Sequence, residues 1–287
     1  MQMKGLFNNG HTTFSIEIFP PKKPGTIEDV YTTLDGLSNI NPSFISCTYG
    51  AGGNSGDATT IDICSIIKEK YGILPIAHLT CVGNTKETID EAIRKLDEAS
   101  ITNVLALRGD ISERAGLSED FKHASDLIVY LKEKAPQLNI SAACYPEIHP
   151  DSESVVSDIL YMKQKEECGA EHFMSQLFFD NEDFYSFWEK TQIAGIKSPI
   201  EAGIMPVTSK AGILRMVSMC GASIPKKLSR ILNKYENNPQ AFSDACIAYA
   251  IDQISDLVAN DVDGIHLYSM NKPEAAQRIY SAVKNLL

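Results

Sequence analysis

Residues that can titrate or form hydrogen bonds recur where apolar, strand-like segments of this sequence end. The groups at these positions are Glu17, Thr48, His78, Arg108, Asp110, Tyr145 and Gln176. A charged side chain in an apolar setting is costly unless it is paired or bound to a ligand. The set as a whole therefore favours an active site, although any single member is equally compatible with a surface or capping role.

A glycine-rich segment, GAGGNSG at 50–56, follows the second strand-like run and precedes a helical pattern. Its backbone could approach a phosphate closely. However, the dinucleotide fingerprint GxGxxG fails at Ser55, and that fingerprint belongs after the first strand. The segment is more typical of a flexible loop, and a Rossmann-type dehydrogenase is the minor alternative.

Two charged patterns have both a structural and a functional interpretation. Arg108 and Asp110 place a cation and a carboxylate at one strand end, which alone indicates no more than a salt bridge. Asp158, Tyr161 and Lys165 share one helical face, which could bind a ribose or phosphate but is more often a solvated stripe. The sequence contains no HExxH or cysteine–histidine metal spacing, no GxSxG and no GxxxxGK[ST], so no metal site, serine hydrolase or P-loop is predicted.

Strand-like and helical segments alternate along almost the whole chain. Strands are predicted at 12–19, 43–49, 74–81, 103–108, 140–146, 172–179, 200–206 and 264–268. Helices are predicted at 26–39, 58–71, 85–99, 119–134, 153–168, 181–194, 208–256 and 272–286. This order predicts an α/β fold of the (β/α)8 TIM-barrel class, with extra helices after the seventh strand. An open doubly wound sheet has the same alternation, and the strand count favours the barrel.

Alternate residues of a strand share a face, so the sequence also predicts which side chains point into the barrel. In the first strand these are Ser15 and Glu17. In the fourth strand we expect Val104, Ala106 and Arg108, followed by Asp110. The remaining predicted inward residues are Phe44, Ser46, Thr48, Ile76, His78, Thr80, Ser141, Ala143, Tyr145, His172, Met174, Gln176, His266 and Tyr268. A TIM barrel carries its chemistry at the carboxyl ends of its strands, where the polar members of this set fall.

The composition is that of a globular protein with a large core: 287 residues, 44% hydrophobic and 22% charged. No linker interrupts it, so residues 1–287 are expected to form one domain. The net charge of −11 argues against nucleic-acid or anionic-membrane partners. The apolar runs are too short to span a membrane, and the N-terminus lacks a signal region. Seven cysteines without a CxxC pair predict reduced thiols and a cytoplasmic location.

Six motifs follow one another along the chain. They are FSIEIFPPK at 14–22, TYGA at 48–51, HLTC at 78–81, ALRGD at 106–110, YPEIHP at 145–150 and QLFFD at 176–180. Together they resemble those of the bacterial methylenetetrahydrofolate reductases of the short, single-domain type, and the resemblance covers nearly the whole chain.

The resemblance implies a barrel that holds non-covalent FAD and reduces 5,10-methylenetetrahydrofolate to 5-methyltetrahydrofolate. It implies ping-pong turnover with NAD(P)H, NADH by default. Glu17 corresponds to the general acid and Asp110 to the carboxylate beside flavin and pterin. The FAD contacts of the family fall on Thr48, Tyr49, Ala51, His78, Arg108, Gly109, Asp110, Ala124, Tyr145, His149, Asp158 and Lys165. Its folate contacts fall on Glu17, Asp110, Gln176 and Lys272.

The chemistry that the resemblance implies explains these residue types. The substrate's five-membered ring must open by proton delivery toward N10, which suits a carboxylic acid. Glu17 lies near Phe19, where desolvation would favour its protonated form. Asp110 is expected to stay charged, paired with Arg108, and to stabilise the cation that ring opening creates.

The sequence departs from the familiar form of the family at four positions. Gly212 and Met216 stand where a glutamine and a phenylalanine contact substrate or nicotinamide. Lys272 replaces an arginine, which keeps the charge but loses the bidentate geometry. Tyr161 replaces an asparagine near the adenosine. A homo-oligomer is expected, and the altered seventh loop leaves one alternative, a barrel that receives electrons from a partner protein within an electron-transfer complex.

Overall fold

The computed structural model describes residues 3–7, 10–21, 26–49, 59–111, 116 and 118–287. Within them, parallel strands form a closed barrel in the order β1 to β8, with β8 paired to β1. The strands are β1 (Thr13–Ile18), β2 (Phe44–Cys47), β3 (Pro75–Thr80), β4 (Asn103–Leu107), β5 (Asn139–Cys144), β6 (Ala170–Ser175), β7 (Ile200–Ile204) and β8 (Gly264–Tyr268). The predicted (β/α)8 barrel is confirmed.

Helices follow the strands around the outside of the barrel. They are α1 (Ile27–Leu37), α2 (Thr60–Tyr71), α3 (Lys86–Glu98), α4 (Ala124–Lys134), α5 (Val155–Glu167), α6 (Asn181–Ile193), α7 (Lys210–Cys220), α8 (Lys226–Tyr235), α9 (Pro239–Ala259) and α10 (Pro273–Val283). Three of them, α7 to α9, lie between β7 and β8, so the prediction of extra helices there is confirmed. Pro225 caps α8 and Pro239 begins α9, because proline suits the first helical turn.

The fourth helix begins later than the sequence predicts. A helix was expected from residue 119, but α4 begins at Ala124. The hydroxyl of Ser118 accepts hydrogen bonds from the backbone amides of Asp120, at 3.1 Å, and Phe121, at 3.4 Å. Serine competes in this way with helical bonding, so the segment before α4 forms a turn instead.

The strands bury their outward side chains under the helices. Ile16, Ile45, Leu79 and Leu267 are at most 1% exposed and belong to one cluster that includes the inner faces of the helices. Complete burial of such a side chain contributes about 1.5–3 kcal/mol to stability. This layer fixes the strands, and through them the residues at the strand ends.

The lower part of the barrel interior is filled by a second apolar cluster, to which the N-terminal 3-10 turn Met3–Leu6 contributes Met3. The cluster contains Leu105 and, at its edge, Leu107, whereas Val104 and Ala106 pack in the outer layer. The prediction of inward-facing Val104 and Ala106 was therefore wrong. Because β4 is apolar on both faces, alternation alone could not tell which face points inward.

Two findings concern the surroundings of the protein. Within the described ranges, no helix is long and apolar enough to cross a membrane. All seven cysteines are free, and Cys47, Cys64, Cys81, Cys144 and Cys246 are buried.

Candidate active site

The Glu17 carboxyl lies at the end of β1, where it faces two imidazole rings. Its Oε2 atom is 3.7 Å from Nε2 of His78 on β3 and 3.7 Å from Nε2 of His266 on β8. The Glu17 side chain is 19% exposed, whereas those of His78 and His266 are 4% and 0% exposed. The carboxyl can therefore contact a molecule at the mouth of the barrel while the rings enclose its inner side.

The segment after β8 holds the backbone around Glu17. The Ser269 hydroxyl donates to the Glu17 carbonyl at 2.6 Å. The Asn271 side chain accepts from the Phe19 amide at 3.0 Å and donates to the Phe19 carbonyl at 2.8 Å. Asn271 has a φ of +51°, in the left-handed region that asparagine tolerates better than most residues. Sequence reasoning missed both residues, although an asparagine three residues after a strand end is a recognisable turn signal.

His78 is a neutral imidazole at physiological pH. Burial lowers the pKa of His78 to about 4, although the neighbouring Glu17 acts in the opposite direction. Its Nε2 atom is buried and has no hydrogen-bond partner in the described structure. Such an orphaned atom carries a desolvation cost that a bound ligand could offset.

Tyr268 closes the inner side of the site. Its hydroxyl donates to the Ser175 carbonyl at 2.6 Å, and its ring packs edge-on against His266 at 5.3 Å. Burial raises the pKa of Tyr268 well above its usual value, and the nearby Glu17 adds to that effect. A Cβ atom on Gly203 would lie 2.8 Å from the tyrosine ring, so only glycine leaves room for the ring there.

Arg108 follows β4 and pairs with a carboxylate on a different loop. Its Nη1 atom is 2.7 Å from Oδ2 of Asp151, and this bond lowers the pKa of Asp151. The expected pair of Arg108 with Asp110 is not found among the described residues. Gly109 lies between them with a φ of +83°, so the strand geometry that motivated the pairing ends at Leu107.

Asp110 and the end of β5 are electrostatic neighbours. Burial raises the pKa of the Tyr145 phenol, and the charge of Asp110 raises it further. The Tyr145 ring meets the His149 ring edge-on at 4.6 Å. Burial lowers the pKa of His149, with a further contribution from Arg108. The structure thus groups the residues after β4 and β5 at one side of the mouth.

The helical face predicted on α5 is not a solvated stripe throughout. Asp158 accepts from the His149 amide at 3.1 Å and from the Ser152 hydroxyl at 2.8 Å. Lys165 donates to the Ala143 carbonyl, and burial lowers the pKa of Lys165. Asp158 and Lys165 therefore hold the end of β5 and the loop that follows it.

The remaining predicted residues are distributed around the same rim. The Thr48 amide donates to the Ile18 carbonyl at 3.0 Å, and the Tyr49 hydroxyl donates to Asn84 at 3.1 Å. The Gln176 side chain accepts from the Leu177 amide at 2.8 Å. Of the other three predicted residues, Ala124 is the first residue of α4 and Lys272 is the exposed N-cap of α10. Ala51 lies outside the described residues.

Sequence reasoning also missed a buried carboxylate. Glu201 on β7 is fully buried inside the barrel, where the Ser15 hydroxyl donates to its Oε1 atom at 2.9 Å. The alternation of Ile200, Ala202 and Ile204 with Glu201 would have identified it as an inward-facing residue.

The family model of methylenetetrahydrofolate reductase matches residues 2–284. The chain belongs to this reductase family. It is 33% identical over 289 residues to methylenetetrahydrofolate reductase (NADH) 1 of Arabidopsis thaliana, with 96% of this chain covered. It is 32% identical over 271 residues to the 5,10-methylenetetrahydrofolate reductase of Pectobacterium carotovorum, covering 94% of this chain and 89% of that protein. The chain spans about half (49%) of the Arabidopsis protein's length.

A solved structure shares the fold of this reductase family member. It is an uncharacterised protein from Clostridium thermocellum that binds two copies of 5-methyl-5,6,7,8-tetrahydrofolic acid. The TM-score is 0.68 at 17% identity, covering 100% of this chain and 99% of the other. At 17% sequence identity, the structural similarity shows a shared barrel fold and nothing further.

The structure locates three of the departures from the familiar reductase pattern. Gly212 lies in the first turn of α7, where its amide donates to the Ser209 hydroxyl at 3.1 Å. A Cβ atom at Gly212 would lie 2.7 Å from that oxygen, so a larger residue here would displace the Ser209 hydroxyl. Met216 packs on the apolar cluster beneath α7, and Tyr161 is 53% exposed on α5.

Proposed function

We propose that this protein reduces 5,10-methylenetetrahydrofolate to 5-methyltetrahydrofolate, with non-covalent FAD as the redox group and NADH as the electron donor in a ping-pong cycle. The observation that carries the proposal is the Glu17 carboxyl at the barrel mouth, 3.7 Å from a neutral imidazole, in a chain of this family. Two relatives support it through their names, which include NADH for the Arabidopsis protein and 5,10-methylenetetrahydrofolate reductase for the Pectobacterium protein.

The described residues fit a flavin dinucleotide. The orphaned Nε2 atom of His78 offers a buried ring nitrogen to a ligand at the mouth. Arg108 offers a guanidinium, and the left-handed Gly109 keeps the backbone beside it free of a side chain. Tyr145 and His149 present aromatic rings next to this cation. When bound there, the flavin would supply the hydride that reduces the substrate.

The other proposed contacts divide between flavin and folate. Besides those above, we propose that Thr48, Tyr49, Ala51, Ala124, Asp158 and Lys165 contact FAD. The side-chain amide of Gln176 can donate two hydrogen bonds and can also accept, which suits the edge of a pterin ring. Lys272 is exposed beside Asn271 and suits a folate carboxylate.

The protein supplies the proton chemistry through its carboxyl groups. Glu17 holds a proton at the mouth and delivers it toward N10 of the folate, which opens the five-membered ring. The neutral His78 provides no positive charge that would keep Glu17 ionised. Asp110 faces the resulting cation and stabilises its charge.

An anaerobic absorbance titration tests the proposed function. Purified protein supplied with FAD should show oxidised flavin bands that bleach when NADH is added. The bands should return when methylenetetrahydrofolate follows, with one equivalent of 5-methyltetrahydrofolate formed per flavin. Flavin bands that ignore NADH would contradict the proposed donor, and absence of bound flavin would overturn the proposal.

A further inference from the structure

A chain of polar side chains runs inward from Glu17 through the barrel interior. Nδ1 of His266 lies 2.6 Å from the Ser15 hydroxyl, which lies 2.9 Å from Oε1 of Glu201. Oε2 of Glu201 lies 3.2 Å from Nε2 of His172, whose Nδ1 atom is 2.9 Å from the Ser141 hydroxyl. All five of these residues are 0% exposed.

The barrel is built to accommodate the buried carboxylate. A Cβ atom on Gly264 would lie 2.7 Å from Cγ and 2.9 Å from Oε1 of Glu201, so the neighbouring strand leaves this space for the glutamate. His172, stacked on Phe7 at 4.8 Å, places its Nε2 atom 3.2 Å from the second oxygen of Glu201. Asp263 is the other acidic group nearby, and burial raises its pKa.

The hydrogen-bond directions follow from counting protons. The Ser15 hydroxyl has one proton, and its geometry makes it the donor to Oε1 of Glu201 at 2.9 Å. The short contact between Ser15 and His266 then requires Nδ1 of His266 to be the donor. In a neutral imidazole the proton on Nδ1 leaves a lone pair on Nε2, the atom that faces Glu17.

The other groups around the Glu17 carboxyl are uncharged, so the effect of His266 on Glu17 depends on this lone pair. His78 is neutral, and Tyr268 is a phenol whose hydroxyl is already donated to Ser175. The Ser46 hydroxyl lies 3.4 Å from the same Nε2 atom of His266, and the Cys47 thiol, whose pKa burial raises, lies on the outer side of β2. At 3.7 Å from Oε2 of Glu17, a lone pair on Nε2 makes no hydrogen bond but repels the carboxylate more than the neutral acid form.

We propose that Glu201 is a positioning residue for the proton donor: through Ser15 it keeps the proton of His266 on Nδ1, and so favours the protonated form of Glu17. The inference rests on the proposed role of Glu17 and deepens it. Glu201 lies two side chains away from the carboxyl and does not contact substrate. Its influence is carried by the tautomer of one buried histidine.

Histidine nitrogen NMR combined with pH profiles tests the proposal. In 15N-histidine-labelled protein, the His266 signals, assigned by their loss in His266→Gln, should report the Nδ1–H tautomer. In Ser15→Ala and in Glu201→Gln they should shift toward Nε2–H. In both variants the alkaline limb of the folate half-reaction should move to lower pH by about one unit, which is about tenfold in rate on that limb. Thr191→Val is the matched control, because it removes an equally buried hydroxyl that donates to the Trp188 carbonyl within α6.

The outcomes separate this inference from the proposed function. An Nε2–H tautomer in the active wild-type protein, or variants whose pH profiles match that of Thr191→Val, would overturn the role of Glu201 alone. A wild-type protein without a folate half-reaction would overturn the proposed function itself. If the variants fail to fold, the wild-type tautomer still decides the proposal.

Discussion

The Nε2 atom of His78 lies 3.7 Å from Oε2 of Glu17, and burial keeps that imidazole neutral with a pKa of about 4. A protonated histidine at this distance would hold the carboxyl in its ionised form, which cannot deliver a proton. The neutral ring instead leaves Glu17 free to act as an acid. Burial of His78 thus connects the packing of β3 with the proposed chemistry at the end of β1.

We predict that His78 makes stability depend on pH. The unfolded histidine binds a proton below its ordinary pKa of 6.5, but the folded one only below about 4. Between these values the unfolded chain binds more protons, so the free energy of unfolding falls as the pH falls. The full contribution of His78 to the free energy of unfolding is present above pH 6.5. At pH 5 roughly 2 kcal/mol of it is lost, and at pH 4 about 3 kcal/mol.

Urea unfolding at pH 7 and pH 5 measures this effect. His78→Gln should lose less stability than the wild-type protein between the two values, because glutamine does not titrate. Parallel losses in the two proteins would show that His78 is not responsible.

We predict that Asn271 supports the proton donor by fixing the chain beyond it. Asn271→Ala removes both hydrogen bonds to Phe19 and should lower the free energy of unfolding by about 1–3 kcal/mol. It should also slow the folate half-reaction, since the Glu17 backbone is less constrained. Asn271→Gly is the control for the left-handed backbone: it relieves strain but loses the same bonds, so its folate rate should fall too. An unchanged rate in both variants would contradict this role.

We predict that Gly264 cannot be replaced without cost. In Gly264→Ala the added Cβ atom would meet Glu201 at 2.7 Å and Thr13 at 3.1 Å, so the free energy of unfolding should fall by about 1–3 kcal/mol. Gly5→Ala is the control, because no described atom lies within 4 Å of its Cβ position. Thermal or urea unfolding should place Gly5→Ala within about 0.5 kcal/mol of the wild type. Equal effects at the two glycines would contradict the close packing around Glu201.

We predict that Arg108 binds FAD while its partner Asp151 does not. Arg108→Ala should weaken FAD binding at least about tenfold, through loss of a charge-assisted hydrogen bond. Asp151 is 61% exposed, so Asp151→Ala should change stability by less than about 1 kcal/mol and leave FAD affinity unchanged or higher. Titration of apoprotein by quenching of FAD fluorescence measures both. Equal weakening in the two variants would assign the effect to the ion pair instead of the cation.

The barrel could be predicted from the sequence because alternation of strands and helices is a local signal. Because this signal is local, it carries no information about packing against other segments, which explains where the predictions were wrong. Alternation does not show which face of the apolar β4 points inward, so Leu105 was missed in favour of Val104. The helix predicted from residue 119 begins later, because the hydroxyl of Ser118 forms a turn before α4.

The relations that define the candidate site depend on contacts between distant segments. Glu17 and His266 are neighbours because the barrel closes between β1 and β8. The pair of Arg108 with Asp151 joins two loops, whereas the predicted pair with Asp110 relied on proximity in sequence. The roles of the predicted FAD and folate contacts, Ala51 among them, stay predictions.

The half-reactions of Glu17→Gln test the central claim most directly. Stopped-flow absorbance should show that NADH reduces the FAD of this variant at close to the wild-type rate. Reoxidation by methylenetetrahydrofolate should be slower by at least about 100-fold, the usual contribution of a general acid. The same slowing in both half-reactions, or reoxidation at the wild-type rate, would contradict the assignment of Glu17 as the proton donor.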